Sequence, residues 1–361
     1  MFHIIKKSAD SKARAGILET PHGAVRTPCF MVVGTRGLVK SLASEDLKKL
    51  GADIMLANTY HLKLEASDIL NSVRLRDINN WPQTILTDSG GFQIFSLGEH
   101  RKITEKGVEF RQPLSGEKIY LTPEEALDFQ HNKIGADIAM CLDVCPPSEA
   151  AEIEVAEACR LTVLWAKRTL SAREKNSQQI FGICQGGIYE NLRKAHAQEI
   201  SKLNFDGFAV GGLAVGEDSK KVFEALDWSL QYLPEDKPRY AMGVGNLEQM
   251  YEAVKMGVDM FDCVIPTREA RHGRIYLWAD GHQGAFADLG LELKIIDIAK
   301  ANYRANFNLI CPSHPLPEVA NISFAWLNYL FKINEILALR LATAINIWTY
   351  LELFKKIREN I

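Results

Sequence analysis

The chain has 361 residues, 47% of them hydrophobic and 24% charged, with a formal net charge of −3. That balance is ordinary for a globular protein and excludes a general polyanion binder, so any nucleic-acid contact must come from a local basic patch. The seven cysteines are odd in number and lie mostly in apolar runs, which predicts reduced, buried thiols and a cytoplasmic setting rather than a disulfide framework.

In chain order, MFHIIKKSADSKA puts its apolar residues before its lysines, the reverse of a secretory signal. ARAGILETPHGAVRTPCF predicts a hairpin turning at Pro21-His22-Gly23, placed to plug the N-terminal mouth of a barrel. Seven apolar runs then end in polar or Gly-rich residues: ADIMLANTYH (52–61), TILTDSGGFQ (84–93), DIAMCLDVCP (137–146), QIFGICQGG (179–187), DGFAVGGLAVGE (206–217), RYAMGVGN (239–246) and DMFDCVIPTREARHG (259–273). Such runs suit strands buried on both faces. Helical patterns such as PEEALDFQHNKI and KKVFEALDWSLQYL separate them. The rhythm predicts an α/β fold, a (β/α)8 TIM barrel with a C-terminal inserted subdomain, its chemistry at the C-terminal strand ends. The expected division is a barrel core with the N-terminal hairpin over 1–275, an insertion over 276–335 and a closing helix over 336–361.

Within the insertion, RIYLWADGHQGAFAD predicts a short hairpin, and LELKIIDIAKANYRAN suits strand or helix. CPSHPLPEV cannot be a helix interior. Ile322, Trp326, Leu330, Ile333 and Leu337 recur at helical spacing, predicting one amphipathic helix. NIWTYLELFKKIREN predicts a last helix with basic residues at its C-terminus. Lys332, Glu335, Arg340 and Asn346 interrupt the most apolar stretch, so no membrane span is expected.

The candidate site residues sit at the run ends. Asp88-Ser89-Gly90-Gly91-Phe92-Gln93 reads either as a tight turn or as an acid at a barrel mouth with an aromatic free to stack. Cys141, Asp143 and Cys145 alternate, which on a strand puts them on one face. Asp143 there is either a ligand acceptor or part of an ion pair. Gln185-Gly186-Gly187 and Gly211-Gly212-Leu213 are ordinary loop glycines or places where a flat ligand meets main-chain amides. Gly243-Val244-Gly245 lacks the third glycine of a dinucleotide fingerprint. Asp262 is an acid among Phe261, Cys263, Val264 and Ile265; unpaired burial is costly, which favours a nucleophile or a base. Arg268, Arg271, His272 and Arg274 follow it as a basic cluster, read as a solvated loop or a phosphate contact.

Taken together, DSGGFQ, QGG, GGLAVGE, MGVG and FDCVIPTREARHG resemble the bacterial tRNA-guanine transglycosylases (queuine tRNA-ribosyltransferases) over residues 10 to about 290. The resemblance implies exchange of guanine 34, the wobble base of G-U-N anticodon tRNAs, for 7-aminomethyl-7-deazaguanine (preQ1) through a covalent enzyme–RNA intermediate. It implies Asp262 as nucleophile at ribose C1′ and Asp88 as general acid/base. Ser89, Gly90, Gly91, Asp143, Gln185, Gly212 and Leu213 would bind the base, with Phe92 and Met242 as the two faces of a stacking sandwich. Cys145 and Val215 would exclude the cyclopentenediol of queuine. Gly243, Val244, Gly245, Asn246, Leu247, Glu248 and Gln249, and then Thr267, Arg268, Glu269, Ala270 and Arg271, would be loops that meet tRNA. The implied partners are the tRNA anticodon loop, preQ1 and guanine, and a second copy of the chain in a homodimer, with no membrane. Two carboxylates at one sugar carbon suit such chemistry, and an unpaired anticodon base leaves its stack at little cost.

The family also carries a structural zinc on three cysteines and a histidine. Here His314, Leu316, Val319 and Ile345 stand at those positions. Only Cys311 and His314 in that loop could ligate a metal, too few for a closed tetrahedral site, so no metal or other cofactor is expected. Either the region is rebuilt with apolar packing, or the chain is a weakened paralogue acting as an RNA-binding or partner subunit. That second reading would be favoured by loss of Asp88 or Asp262, and both are present. An aldolase-like barrel would need a strand-end lysine, which is missing.

Overall fold

A computed structural model describes residues 1–97, 101–112, 116–174, 178–213 and 219–361. Eight short parallel strands close on themselves: Cys29–Gly34, Ile54–Ala57, Thr84–Thr87, Ile138–Met140, Gln179–Cys184, Gly207–Val210, Arg239–Ala241 and Met260–Asp262. The last pairs back onto the first, Met260 with Cys29 and Asp262 with Met31. Nearly every strand residue is buried, as a barrel wrapped in helices requires. This is the expected TIM barrel. Seven strands fall in the seven apolar runs. The eighth, Cys29–Gly34, lies where the sequence reading saw only the end of a hairpin.

The N-terminal hairpin is part of a three-stranded antiparallel sheet, Phe2–Lys7, Arg14–Thr20 and Gly23–Thr27. It sits under the strand starts. Thr20 Oγ1 meets Thr84 Oγ1 at 2.8 Å, His22 Nδ1 meets Asp137 Oδ1 at 2.5 Å, and Gln179 Nε2 donates to Glu19 O at 2.6 Å. Arg14 makes a two-pronged pair with Asp259, Nε to Oδ1 at 2.9 Å and Nη2 to Oδ2 at 2.6 Å, with both side chains buried. A second small sheet, Lys102–Thr104, Gly107–Arg111 and Lys118–Leu121, interrupts the barrel alternation before the helix Pro123–Asp128. Its Val108, Phe110 and Leu121 cover Leu142, Val144 and Cys145 beside the barrel mouth.

After the barrel, Arg274–Asp280 pairs with Leu291–Asp297. The hairpin is therefore longer than RIYLWADGHQGAFAD, and LELKIIDIAKANYRAN begins as a strand. The helix Phe324–Lys332, capped by Ser323 Oγ accepting from Trp326 N, stops before Leu337. Asn334 takes φ +55°, a left-handed turn that ends the periodicity read as one helix. Leu330 is buried, but Trp326, Ile333 and Leu337 are about half exposed and do not pack on the barrel. The final helix is Ile336–Asn360, ten residues longer at its start than NIWTYLELFKKIREN. It is apolar and long enough to cross a membrane by composition, yet 61% of its most apolar window is buried within the protein. It seals the seam between the first and last barrel strands, with Tyr350 on Phe30 at 5.0 Å and Phe354 on Phe261 at 5.4 Å.

Candidate active site

All eight strand ends contribute to one cavity of about 740 Å³. Thr35, Asn58, Asp88, Asp143, Gln185, Gly212, Met242 and Asp262 each come from a different strand end. Ser89, Gly90, Phe92, Cys145, Leu213, Gly243, Val244, Gly245, Asn246, Gln249 and Arg268 also line it.

Asp88 is not unsupported. Thr59 N donates to its Oδ1 at 2.7 Å, Asn58 Nδ2 donates to its Oδ2, and Thr59 Oγ1 donates to its main-chain carbonyl at 2.5 Å. Asn58 does double duty, its Oδ1 capping the helix Thr59–Glu65 at His61 N. Burial raises the Asp88 carboxyl to about 7, against the Thr59 and Gly90 N–H bonds, with the charge of Asp262 pushing the same way. Asp262 Oδ1 accepts from Tyr240 Oη at 2.6 Å and from Gly243 N at 2.9 Å. Its carboxyl is also raised by burial, and both donors act against that by favouring the ionised form. The site therefore holds two acids raised by burial, Asp88 to about 7 and Asp262 with two donors that oppose its rise.

Deeper in, the strand ends at Met140, so Cys141 to Cys145 is irregular chain rather than the continuous strand expected. Asp143 and Cys145 reach the cavity, whereas Cys141 faces the core. Asp143 is buried; Ser89 Oγ donates to its Oδ1 at 2.8 Å and Gln185 Nε2 to its Oδ2 at 2.7 Å. Burial raises its carboxyl and those two bonds oppose the rise. Gln185 Oε1 is buried with no hydrogen-bond partner among the described residues. Gly91 cannot carry a side chain, because a Cβ would lie 2.7 Å from Asp143 O. Phe92 is 44% exposed at the mouth, free to stack. Val215 lies outside the described residues.

The two segments expected to meet tRNA are more ordered than loops. Leu247, Glu248 and Gln249 open the helix Leu247–Lys255, which Asn246 Oδ1 caps. Thr267, Arg268, Glu269 and Ala270 belong to the short helix Ile265–Ala270, followed by Arg271. Val244, Leu247, Thr267 and Ala270 are buried, so their side chains do not face solvent. Gly243, Asn246, Glu248 and Arg268 are exposed. The final helix braces both segments: Tyr350 Oη donates to Gly245 O at 2.9 Å, and Asn346 Nδ2 donates to Pro266 O at 3.1 Å and Arg274 O at 2.9 Å. Asn58, Thr59 and Tyr240 were missed from sequence, being a cap, its neighbour and an apolar strand residue.

A model of the family described as queuine tRNA-ribosyltransferase matches residues 9–361. The chain belongs to that family. The queuine tRNA-ribosyltransferase of Caldanaerobacter subterraneus subsp. tengcongensis is 46% identical over 363 aligned positions, which cover 100% of this chain and 93% of that protein. That of Francisella tularensis subsp. novicida is 43% identical over 360, covering 99% of this chain and 94% of that protein.

The family's zinc positions hold a different kind of contact in this member. Leu316, Val319 and Ile345 are buried hydrocarbon within the main core. His314 is buried against Trp348, its ring edge-on at 5.2 Å. Its Nδ1 accepts from Leu316 N at 3.1 Å, and its Nε2 meets Ala344 O at 3.3 Å. One imidazole with both nitrogens engaged does not fit a tetrahedral zinc site.

Proposed function

We propose that the chain is a tRNA-guanine(34) transglycosylase, exchanging the wobble guanine of G-U-N anticodons for preQ1. The observation that carries this reading is the pair of acids at one barrel mouth, Asp262 accepting hydrogen bonds from Tyr240 and Gly243 and Asp88 raised by burial to about 7. In the first half, an Asp262 oxygen attacks ribose C1′. The bond from C1′ to guanine breaks, and Asp88 gives its proton to the departing base. In the second half, the incoming base loses a proton to Asp88 and attacks C1′, and the ester to Asp262 breaks. Protons and electron pairs balance, and no cofactor is consumed. Asp143, Gln185 and the Gly212 amide supply acceptors and donors for the base edge. The bond between Asp143 and Gln185 opens to admit it. Phe92 and Met242 supply apolar faces for the ring.

Arg268, at the rim, supplies charge for the anticodon backbone. Enzyme and tRNA meet in the cytoplasm. We assign the partner at the exposed face of Trp326, Tyr329, Ile333, Ile336 and Leu337 to a second copy of the chain. No zinc is expected to be bound.

Purified protein should exchange labelled guanine into tRNA with a G-U-N anticodon and form a covalent adduct on denaturing gels. Asp262→Ala should do neither, and Asp262→Asn should be severely slowed. An adduct on the alanine variant would refute the nucleophile. Because Cys145 narrows the pocket, preQ1 should compete with guanine and queuine should not. Equal competition by the two would show that the pocket is wider than proposed.

A further inference from the structure

Arg193, on the helix Glu190–Ile200, is fully buried behind the base pocket. Its Nε donates to Gly187 O at 2.8 Å, its Nη1 to Gly211 O at 2.8 Å and Cys184 O at 3.4 Å, and its Nη2 to Gly212 O at 3.0 Å. Those carbonyls belong to the two glycine turns that follow adjacent barrel strands, the turns that carry Gln185 and Gly212. Burying a guanidinium is expensive. Here it gathers the main chain of one ligand-facing corner.

The geometry has a directional consequence. A peptide unit is planar and trans, so its C=O and its N–H point opposite ways. Arg193 holds the C=O of the Gly211–Gly212 peptide, which turns the Gly212 N–H away from the guanidinium. Both glycines line the cavity. The Cys184–Gln185 peptide is held at both ends, its C=O by Arg193 and its N–H by His196 Nδ1 at 3.1 Å. Burial drives His196 down to about 3, so it stays a neutral acceptor. Gly212 itself takes φ +63°, and a Cβ there would meet Gln185 Oε1 at 2.8 Å. This turn has no side chain of its own to hold its orientation.

We infer that Arg193 is a positioning residue for base recognition: it aims the Gly212 N–H at the carbonyl oxygen on the edge of the bound base, and its charge behind that peptide strengthens the donor. This rests on the base-exchange reading above. A positive charge on the carbonyl side polarises the peptide, and hydrogen bonds in such chains reinforce one another.

The test compares wild type, Arg193→Met and Arg193→Lys in guanine exchange, with 6-thioguanine as competitor. The thio base keeps the ring N–H and amino groups and swaps the edge oxygen for a weak acceptor. In Arg193→Met the KM for guanine should rise about tenfold, the size of one lost hydrogen bond, with the KM for tRNA unchanged. The preference for guanine over 6-thioguanine should collapse. Arg193→Lys should regain part of that preference by restoring the charge. An unchanged guanine preference overturns the inference, and so does a parallel loss of guanine and tRNA binding. If circular dichroism shows the methionine variant unfolded, the lysine variant decides, and wild-type preference there overturns the inference. Wild-type protein that exchanges no guanine refutes the functional reading and this inference together. Normal wild-type exchange with unaltered variants refutes this inference alone.

Discussion

In the proposed reaction, Asp88 ties protonation to both catalysis and stability. With its carboxyl near 7, it is protonated on the acid side of neutrality and ionised on the other. Adduct formation needs the proton and should fall as pH rises past about 7; the second half needs the ionised form and should fall below it. Overall exchange should trace a bell centred near neutrality, and Asp88→Asn should leave a slow, flat profile. A bell retained by the asparagine variant would assign the titration elsewhere. The sign for stability follows from the direction of the shift. The folded value lies above the unfolded carboxylate value of about 4, so the contribution is complete below that pH and is lost as pH climbs to about 7. Asp88→Asn should therefore raise Tm more at about pH 8 than at about pH 5, read by calorimetry. The acids themselves were legible in sequence because charges in apolar runs stand out. Their supports were not. Asn58 looks like a helix cap, and it is one; Tyr240 looks like core, and it is buried. Only the parallel pairing of their two strands, Tyr240 opposite Met260, brings Tyr240 to Asp262.

Strand and helix identities were legible where apolar runs ended in glycine. Cys29–Gly34 escaped because it follows the N-terminal sheet after a single residue, and pattern alone does not separate them. The sheet of residues 102–121 escaped because its strands are three to five residues long and half polar. The last helix has a testable peculiarity at the family's metal positions. Ile345 is buried in the same core as Leu316 and Val319, so Ile345→Ala should cost about 3 kcal/mol, the range for an aliphatic core truncation. The purified protein should hold well under one zinc per chain. EDTA should leave Tm and activity unchanged, since no stabilising mass action by metal is then present. Stoichiometric zinc by elemental analysis, lost with activity on chelation, would refute this account.

The whole molecule presents an apolar face beside its subdomain. Trp326 and Tyr329 stack at 5.4 Å, and Ile336 is 78% exposed. Large exposed apolar side chains of this kind favour association. Ile336→Glu should shift the protein to monomer in sedimentation velocity while leaving its far-UV spectrum intact; a wild type that already sediments as monomer would remove the dimer from the proposal. The barrel was readable in the sequence because repetition survives local errors. The dependence of the mouth on the last helix was not, since Tyr350 and Gly245 are far apart in sequence and only the folded chain joins them. That dependence reaches back to synthesis. The helix that seals the barrel and contacts Gly245 and Pro266 is made after everything it holds. A chain that has emerged through Asp262 but not yet through Tyr350 already has Tyr240 and Gly243 for that acid, but lacks the contact from Tyr350 to Gly245. A nascent chain stalled before Tyr350 should therefore form no covalent adduct with tRNA, and an adduct on such a chain would show that the contact is dispensable.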